Sequence, residues 1–397
     1  MSEISTGARP DGPGERLQNA RKRRGLTQRE LAYASGLSVS MVRKIEQGQA
    51  GGVRLETARK LAVALRIPTS AIAAGDREAP DGQTAGEWEP VCRALAGHVS
   101  QPGSQPTPAG VMEAVAAMRP VIAANRFTPV RPALAALIRD AYALDPDDPD
   151  TPVARFRALN MTGWVLTQMR QWDAAMDTLA QAQDSAPTAL EAASAVKTRI
   201  WLLLRQGDLA GARDAAVAAA DAVEPRFSRA AVPELSLWGH FQLNIANAAI
   251  RDNRPGEAAE ALRLAAAAAS LIGREVMADP STTRVFGPAT VACCRAEIAV
   301  LDEKPDRALA ISAQVPGTVF AATDMTRLRH QLDVANADAQ LRRYTEAIAV
   351  IGEIWRVAPE WLPQQRYARD ILGGIVQRRR TLTPDMRVLA DAVRLPL

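Results

Sequence analysis

The sequence predicts an all-α protein, with a small basic domain at the N-terminus followed by a longer helical body. Apolar residues recur at helical spacing along most of the 397 residues, and no segment alternates apolar and polar residues as a half-buried strand would. Glycines and capping residues divide the helical stretches at short intervals. We expect an N-terminal domain over residues 14–74, a linker and loop with a short helix over 75–110, and a helical repeat domain over 111–397.

The composition excludes several classes of protein. Hydrophobic residues make up 47% and charged residues 23% of the chain, which excludes a disordered or collagen-like protein. The three cysteines, Cys92, Cys293 and Cys294, form no CxxC pair, so neither a disulfide framework nor a zinc site is indicated. No stretch reaches 18 uninterrupted apolar residues. We therefore expect a cytoplasmic protein that contacts no membrane.

Positive charge is concentrated near the N-terminus. Residues 14–66 contain twelve Lys and Arg against four Glu, a net charge of +8, so the remaining sequence carries −4 of the total +4. A basic module joined to a mildly acidic body is typical of a protein whose first domain binds nucleic acid.

The first two helices are delimited by local signals. The first carries Leu17 on its apolar side and ends at Gly25. Thr27 and Glu30 have the spacing of a capping box, in which each side chain accepts a hydrogen bond from the other residue's backbone amide. A second helix therefore begins directly after Thr27. It ends at Gly36, where a residue without Cβ allows a left-handed turn.

Three more short helices complete the N-terminal module. Ser38 caps a third helix over residues 39–47, and Gly48 ends it. Pro68 begins a short fifth helix. Between them, a fourth helix has one apolar side, formed by Leu55, Ala58, Leu61, Ala62 and Leu65.

This arrangement resembles the helix-turn-helix of the phage repressor and Cro type, found in the large family of xenobiotic-response-element-like bacterial regulators. The matching segments are LTQRELAYASGLSVSMVRKIEQG, residues 26–48, and the following LETARKLAVALRIP. Ala32 is small where the third helix crosses the second, and Gly36 makes the turn between them. Ser35 departs from the pattern, which prefers Ala or a larger apolar residue. The resemblance implies a λ-repressor-like fold and DNA binding.

The resemblance also implies which residues face DNA. In such motifs the second helix lies in the major groove and the first crosses the phosphate backbone. The residues placed toward bases are Ser38, Val39, Ser40, Arg43 and Lys44. Arg43 is the expected bidentate ligand of guanine. Phosphate contacts are expected from Gln28, Arg16, Arg23, Arg24 and Arg54.

The size of the module indicates a dimer. A single domain of this size covers only about 600–1,000 Å² of surface on DNA. We therefore expect a homodimer on a two-fold site in double-stranded DNA. Within the third helix, Glu46 is expected to pair with an arginine of the first helix rather than to contact a base. The alternative to DNA binding is a helix-turn-helix that contacts protein.

The body contains an internal repeat of helix pairs. Segments 75–90 and 100–110 are rich in Gly, Pro and polar residues and indicate linker and loop. Beyond them, small or apolar anchors recur at Gly163, Ile200, Ala246, Ala296 and Ala335, each followed twelve residues later by an alanine. This pattern resembles the tetratricopeptide repeat, whose small residues let two antiparallel helices approach closely. The resemblance implies an α-solenoid.

The repeat is irregular in length. The anchors are separated by 37, 46, 50 and 39 residues, whereas the tetratricopeptide repeat has about 34. Alanine-rich helices also satisfy a small-residue pattern partly by chance. An irregular helical bundle is therefore the alternative, and it is all-α as well.

The repeat frame predicts the residues that line the inner groove. Amides, cations and indoles dominate this set, which suits an extended peptide. The predicted effector-binding residues are Arg157, Asn160, Trp164, Lys197, Trp201, Arg205, His240, Asn247, Arg251, Arg329, Asn336 and Gln340. The joining of such a domain to a repeat body is similar to the architecture of the peptide-pheromone receptor regulators, which implies a peptide or small-molecule effector.

The sequence contains no pattern typical of catalysis. His98, His240 and His330 are the only histidines, and none has a partner at catalytic or metal-ligand spacing. There is no glycine-rich phosphate-binding motif. The acidic segment 145–150 contains two prolines and is interpreted as a solvated loop. We expect no catalytic site, no metal and no cofactor.

Together these observations predict a dimeric transcriptional regulator whose helical body senses an effector. The main alternative is a scaffold, such as an antitoxin or developmental adaptor, whose repeat body recruits a protein partner while DNA binding is secondary. A second alternative is an enzyme with a regulatory N-terminal domain, which requires a pocket with perturbed titratable groups.

Overall fold

The computed structural model describes residues 12–49, 53–73, 82–97, 105–277 and 284–396, the side chains of 82–85 excepted. Within these residues it contains nineteen α-helices and two short 3-10 helices. The only extended pairing in them is an isolated bridge between Val276 and Phe286. The predicted all-α class, with a helix-turn-helix domain followed by a helical domain, is confirmed.

The N-terminal domain has the predicted helix order. Its elements are α1 (Pro13–Arg23), α2 (Gln28–Ser35), α3 (Val39–Glu46), α4 (Leu55–Leu65) and a 3-10 helix (Thr69–Ala71). The capping box at Thr27 is present, with Thr27 N donating to Glu30 Oε2 (2.7 Å) and Glu30 N donating to Thr27 Oγ1 (3.2 Å). Gly36 adopts φ 65°. The expected fifth helix is a single 3-10 turn.

A small apolar core holds these elements together. Leu31, Val42, Leu61 and Leu65 are fully buried at its centre. The hydroxyl of Ser35, the departure from the family pattern, donates to the carbonyl oxygen of Leu31 (2.7 Å). This bond satisfies the buried hydroxyl within its own helix, so a serine is tolerated at this position.

Three helices precede the repeat: α5 (Gly82–Leu95), α6 (Pro108–Ala123) and α7 (Val130–Tyr142). The expectation of a linker over 75–90 is wrong from residue 82 onward, because this part is helical; residues 75–81 lie outside the described residues. Trp88 is only 2% exposed and packs with Val91 in the main core of the body. Tertiary burial overrides the unfavourable helix propensity of glycine and proline in this segment.

Five consecutive helix pairs follow, at the positions that the anchors predict. They are α8 (Thr151–Gln168) with α9 (Trp172–Asp184), α10 (Ala189–Gln206) with α11 (Leu209–Ala222), α12 (Val232–Arg251) with α13 (Pro255–Ile272), α14 (Pro288–Leu301) with α15 (Pro305–Ser312), and α16 (Met325–Gln340) with α17 (Tyr344–Val357). The last described elements are a 3-10 helix (Leu362–Gln364), α18 (Arg366–Val376) and α19 (Pro384–Ala392).

The turn inside each pair has one recurring backbone geometry. A residue with positive φ stands seven positions after every anchor: Arg170 (61°), Gly207 (77°), Asn253 (58°), Glu303 (56°) and Arg342 (62°). The next residue's amide donates to the carbonyl oxygen five positions before it, at 2.8–3.0 Å in all five turns. This is the six-to-one hydrogen bond of a Schellman motif. The repeated turn is a second regularity, independent of the small-residue pattern.

Small residues permit close contact within the pairs. The anchors and the alanines twelve positions later are all buried. A Cβ added to Gly163 would lie 2.6 Å from side-chain carbons of Leu179, so α8 and α9 approach too closely for any side chain there.

The two ends of the body meet. The amides of Phe127 and Thr128, directly before α7, donate to the Glu360 carboxylate beyond α17 (2.7 and 2.8 Å). Arg205 in α10 donates to the carbonyl oxygen of Gln364 (3.1 Å). These contacts hold α5–α9 and α16–α19 in one continuous apolar core.

Candidate DNA-binding surface and inner groove

The start of α3 presents a polar and cationic surface. Ser38, Ser40, Arg43 and Lys44 are exposed, and Val39 is half-buried. Ser38 caps the helix by accepting a hydrogen bond from the Met41 amide (3.2 Å), which orients the first turn. The opposite side of α3 buries Val42 and Ile45 in the domain core. The amphipathic pattern thus positions the predicted base-contacting residues outward together.

The predicted phosphate-contacting residues belong to α1 and its C-cap, to α2 and to the N-cap of α4. Arg23, Arg24 and Arg54 are exposed, and Arg24 donates to the carbonyl oxygen of Arg66 (3.1 Å). The side-chain amide of Gln28 donates to Glu46 Oε2 (2.8 Å). A phosphate contact from that nitrogen would therefore use its second hydrogen. The DNA contacts of these residues remain predictions.

A buried ion pair fixes α1 against α3. Arg21 donates from Nε to Glu46 Oε1 (2.6 Å) and from Nη2 to Glu46 Oε2 (2.9 Å), which confirms the expected pairing of Glu46 with the first helix. The Glu46 side chain is 1% exposed. Burial by itself raises the pKa of this carboxyl, but the hydrogen bonds from Arg21 and Gln28 outweigh it and hold the pKa below its ordinary value.

The N-terminal domain docks on the body through its last elements. Thr69 Oγ1 donates to the carbonyl oxygen of Arg251 (2.8 Å), and the Ser70 amide donates to Asp252 Oδ1 (2.8 Å). Asn253 Nδ2 donates to a carbonyl oxygen directly after α4 (3.0 Å). The turn between α12 and α13 is therefore inserted against the end of α4. This contact leaves the exposed side of α3 uncovered.

Several predicted groove residues line one cavity in the body. It encloses about 470 Å³, including the solvent at its mouth, and its walls include Arg157, Lys197 and His240 from the predicted set together with Arg284. Arg157 pairs with Glu191 (2.9 Å). His240 Nδ1 lies 3.0 Å from the carbonyl oxygen of Ser236, and burial places the pKa of His240 well below its ordinary value.

Two arginines lie over the Trp201 ring, and one of them, Arg284, also lines this cavity. The guanidinium carbons of Arg284 and Arg329 lie 5.2 and 4.5 Å from the centre of its indole ring. Both distances are within the range of cation–π attraction. Lys197, which also lines the cavity, is one helical turn before Trp201 on the same face of α10, so the two arginines adjoin the cavity.

A buried polar network extends the groove toward the docked domain. Arg251 donates to Asn247 Oδ1 (3.1 Å) and to Glu297, and Asn336 donates to Tyr367 Oη (2.9 Å). Asp333 lies in the same network. Burial, followed by the charge of Glu297, raises the pKa of Asp333 well above its ordinary value.

Other predicted groove residues have structural roles in this conformation. Asn160 is fully buried, and Trp164 is 2% exposed within the main core. Arg205 donates to the carbonyl oxygen of Thr167 (3.0 Å), and burial lowers its pKa to about 9. Gln340 donates to the carbonyl oxygen of Val300 (3.2 Å). Their assignment to an effector site remains a prediction.

Sequence reasoning missed three residues of the groove. Arg284 belongs to the long connection between α13 and α14, outside the repeat frame, so no periodicity marks it. The pKa values of Asp333 and Tyr367 are raised first by burial in the fold and then by neighbouring carboxylates. For Asp333, the sequence offered one signal: a charged residue at a helix position that faces inward in the repeat.

The part of the chain that the structure describes contains no group of three or more His, Cys, Asp or Glu that could hold a metal ion. None of its helices combines the length and apolar character needed to cross a lipid bilayer.

Comparisons with known proteins match the N-terminal domain. Residues 17–72 match the family model described as helix-turn-helix. The HTH-type transcriptional repressor RghR of Bacillus subtilis (strain 168) is 44% identical over 55 residues, 14% of this chain and 41% of the relative. The uncharacterized HTH-type transcriptional regulator RghRB of the same organism is 40% identical over 55 residues, 14% of this chain and 40% of the relative. The chain thus spans about two fifths of the length of these curated relatives.

One solved structure is similar over a larger part of the chain. It is ComR from Streptococcus suis, with a TM-score of 0.27 and 12% identity over 87% of this chain and 94% of that one. At that TM-score the similarity supports no conclusion about the body. The family model, the relatives and the helix geometry agree for the first domain: residues 17–72 form a helix-turn-helix domain of the type found in bacterial transcriptional regulators.

Proposed function

We propose that this protein is a sequence-specific DNA-binding transcriptional regulator whose helical body senses a peptide or small-molecule effector. One observation carries the proposal. The residues of α3 that are predicted to contact bases are exposed together. The N-terminal domain is attached to the body through other elements, α4 and the 3-10 helix. A duplex can approach α3 while the two parts of the protein remain in contact.

The body is proposed to be a tetratricopeptide-like α-solenoid. The identical turns at seven residues after each anchor support this interpretation over an irregular bundle. A chance distribution of alanines would not place a positive-φ residue and a six-to-one hydrogen bond at the same position of five pairs. We assign α5 to this body because Trp88 packs in its core.

Effector sensing is proposed because one residue links the groove to the DNA-binding domain. Arg251 binds Asn247 and Glu297 through its guanidinium, and its carbonyl oxygen accepts the hydrogen bond from Thr69. A ligand that alters this network acts on the segment that holds the DNA-binding domain. Such coupling requires that the ligand bind two arrangements with different affinity.

The proposal includes a homodimer, because one helix-turn-helix buries too little DNA surface for tight selective binding. The test is selection of DNA from a random duplex pool with the full chain, followed by gel shifts of the selected site at increasing salt. We expect a two-fold consensus bound well above random DNA near physiological salt. Weak binding that ignores sequence and disappears in that salt would instead indicate the scaffold.

A further inference from the structure

The inner groove contains two arginines whose charge no described carboxylate neutralises at close range. Arg284 and Arg329 both contact the Trp201 ring. Within the described part of the chain, no carboxylate oxygen lies within 4.0 Å of either guanidinium. Burial, followed by the charge of Arg329, lowers the pKa of Arg284. Holding two cations this way is unfavourable unless a counter-charge occupies the site.

The nearby carboxyls have other partners or are deeply buried. Glu191 pairs with Arg157 (2.9 Å), and Glu297 pairs with Arg251. Burial, followed by the charge of Glu297, raises the pKa of Asp333 well above its ordinary value and so disfavours its charged form. Positive charge therefore exceeds negative charge on this wall of the groove.

One buried donor beside these arginines has no partner among the described residues. Trp201 Nε1 is buried and makes no hydrogen bond to any of them. The indole nitrogen can only donate. The His240 ring instead faces backbone carbonyl oxygens, that of Ser236 (3.0 Å from Nδ1) and that of Val285. The site thus offers one free donor.

We propose that Arg284, Trp201 and Arg329 form an oxyanion subsite that binds a carboxylate or phosphate group of the effector. The inference rests on the proposed function, in which the body senses a ligand. The guanidinium groups supply charge, and the indole N–H supplies a hydrogen bond. Leu190 and Leu237 line the adjoining cavity and fit a short apolar portion.

The test measures anion binding directly. The full chain is titrated calorimetrically with sodium phosphate and, separately, with sodium acetate, at constant ionic strength set by chloride. We expect saturable binding of one anion per chain with at least one of the two salts. The preferred salt distinguishes a phosphate-bearing from a carboxylate-bearing effector.

Matched variants locate the binding. Arg284→Gln and Arg329→Gln should each weaken the binding by about tenfold or more, since each removes a charged hydrogen-bond donor. Arg284→Lys, which keeps the charge, should retain more affinity than Arg284→Gln and controls for misfolding. Arg263→Gln on α13, whose side chain is 73% exposed, should leave the affinity unchanged.

Two results would overturn the subsite: no saturable binding of either anion by the wild-type chain, or equal weakening by Arg263→Gln. Gel shifts with the same wild-type preparation separate this inference from the proposed function. Specific DNA binding without anion binding removes the subsite alone, whereas anion binding without specific DNA binding removes the regulator proposal alone.

Discussion

At the scale of single residues, the N-terminal domain depends on one buried charge pair. Glu46 accepts hydrogen bonds from Arg21 and Gln28 and so joins α1, α2 and α3 at one carboxylate. The pair was predictable in outline, because a glutamate near the end of α3 faces the arginine-rich α1. The participation of Gln28 was not, because a side chain at a helix start is equally able to face phosphate.

Replacing Glu46 by Gln should destabilise this domain by about 3–5 kcal/mol, since it leaves Arg21 buried without its counter-charge. Hydrogen exchange of α1–α3 amides in the full chain measures the loss. Glu56→Gln is the matched control, because Glu56 pairs with Lys60 (3.0 Å) but is 75% exposed, and should cost about 0–1 kcal/mol. A similar loss in both variants contradicts the role of the buried pair.

The same carboxylate predicts a pH dependence. Its folded pKa lies below the ordinary value of 4.5, so the pair stabilises the domain fully above pH 4.5 and is lost as the pH falls through the folded pKa. Protection of α1–α3 should therefore decline more steeply on acidification in the wild type than in Glu46→Gln. Parallel acid profiles would show that other carboxyls control this region.

Arg43 should determine sequence preference. Replacing Arg43 by Ala is expected to cost about 1–3 kcal/mol on the selected site and to relax one base position. Gln28→Ala should weaken binding to all sequences alike, because it concerns the backbone and not the bases. Competition gel shifts with single-base variants of the site distinguish the two. Indistinguishable base profiles would refute this division of roles.

At the scale of elements, the sequence predicted the helix boundaries that depend on neighbouring residues. It missed the helices and turns that depend on burial in the folded protein. Capping at Thr27 and Ser38 acts between neighbours in the chain, so both helix starts were readable. Helix α5 contains Pro90 and became helical because Trp88 and Val91 are buried. Four of the five repeat turns place Arg, Asn or Glu at positive φ, so residue type alone did not reveal the shared geometry.

The turn geometry makes a directional prediction for glycines. Gly207→Ala should destabilise the body by about 1–2 kcal/mol, because φ 77° is unfavourable for a residue with Cβ. Gly256→Ala in α13, which has open space for a Cβ, should be neutral or stabilise by about 0.4–1 kcal/mol. Urea unfolding of both variants provides the comparison. Equal destabilisation would show that the Gly207 turn has no special backbone requirement.

At the scale of the whole molecule, attachment of the DNA-binding domain depends on the turn between α12 and α13. The Asp252 carboxylate accepts from the Ser70 amide (2.8 Å) and pairs with Arg254 (2.9 Å). Both of its oxygens are therefore used at the boundary between the two parts of the protein.

Asp252→Ala should loosen this attachment without unfolding either part. Faster hydrogen exchange at residues 66–73 is expected, because the Ser70 amide loses its acceptor. Asp177→Ala, an exposed carboxylate on α9, is the control and should leave these amides protected. Unchanged exchange in Asp252→Ala would mean that the contacts of Thr69, Asn253 and Leu55 hold the domain without the Asp252 carboxylate.

The fixed attachment of the DNA-binding domain also bears on the spacing of the two half-sites in its DNA site. With Thr69, Ser70 and Asn253 anchoring the domain, the direction in which α3 points is set by the body and not by a flexible tether. In a dimer, the separation of the two α3 helices must match about one helical turn of B-DNA, roughly 34–36 Å, or a multiple of it. The surface through which two bodies associate would then determine the length of DNA between the half-sites.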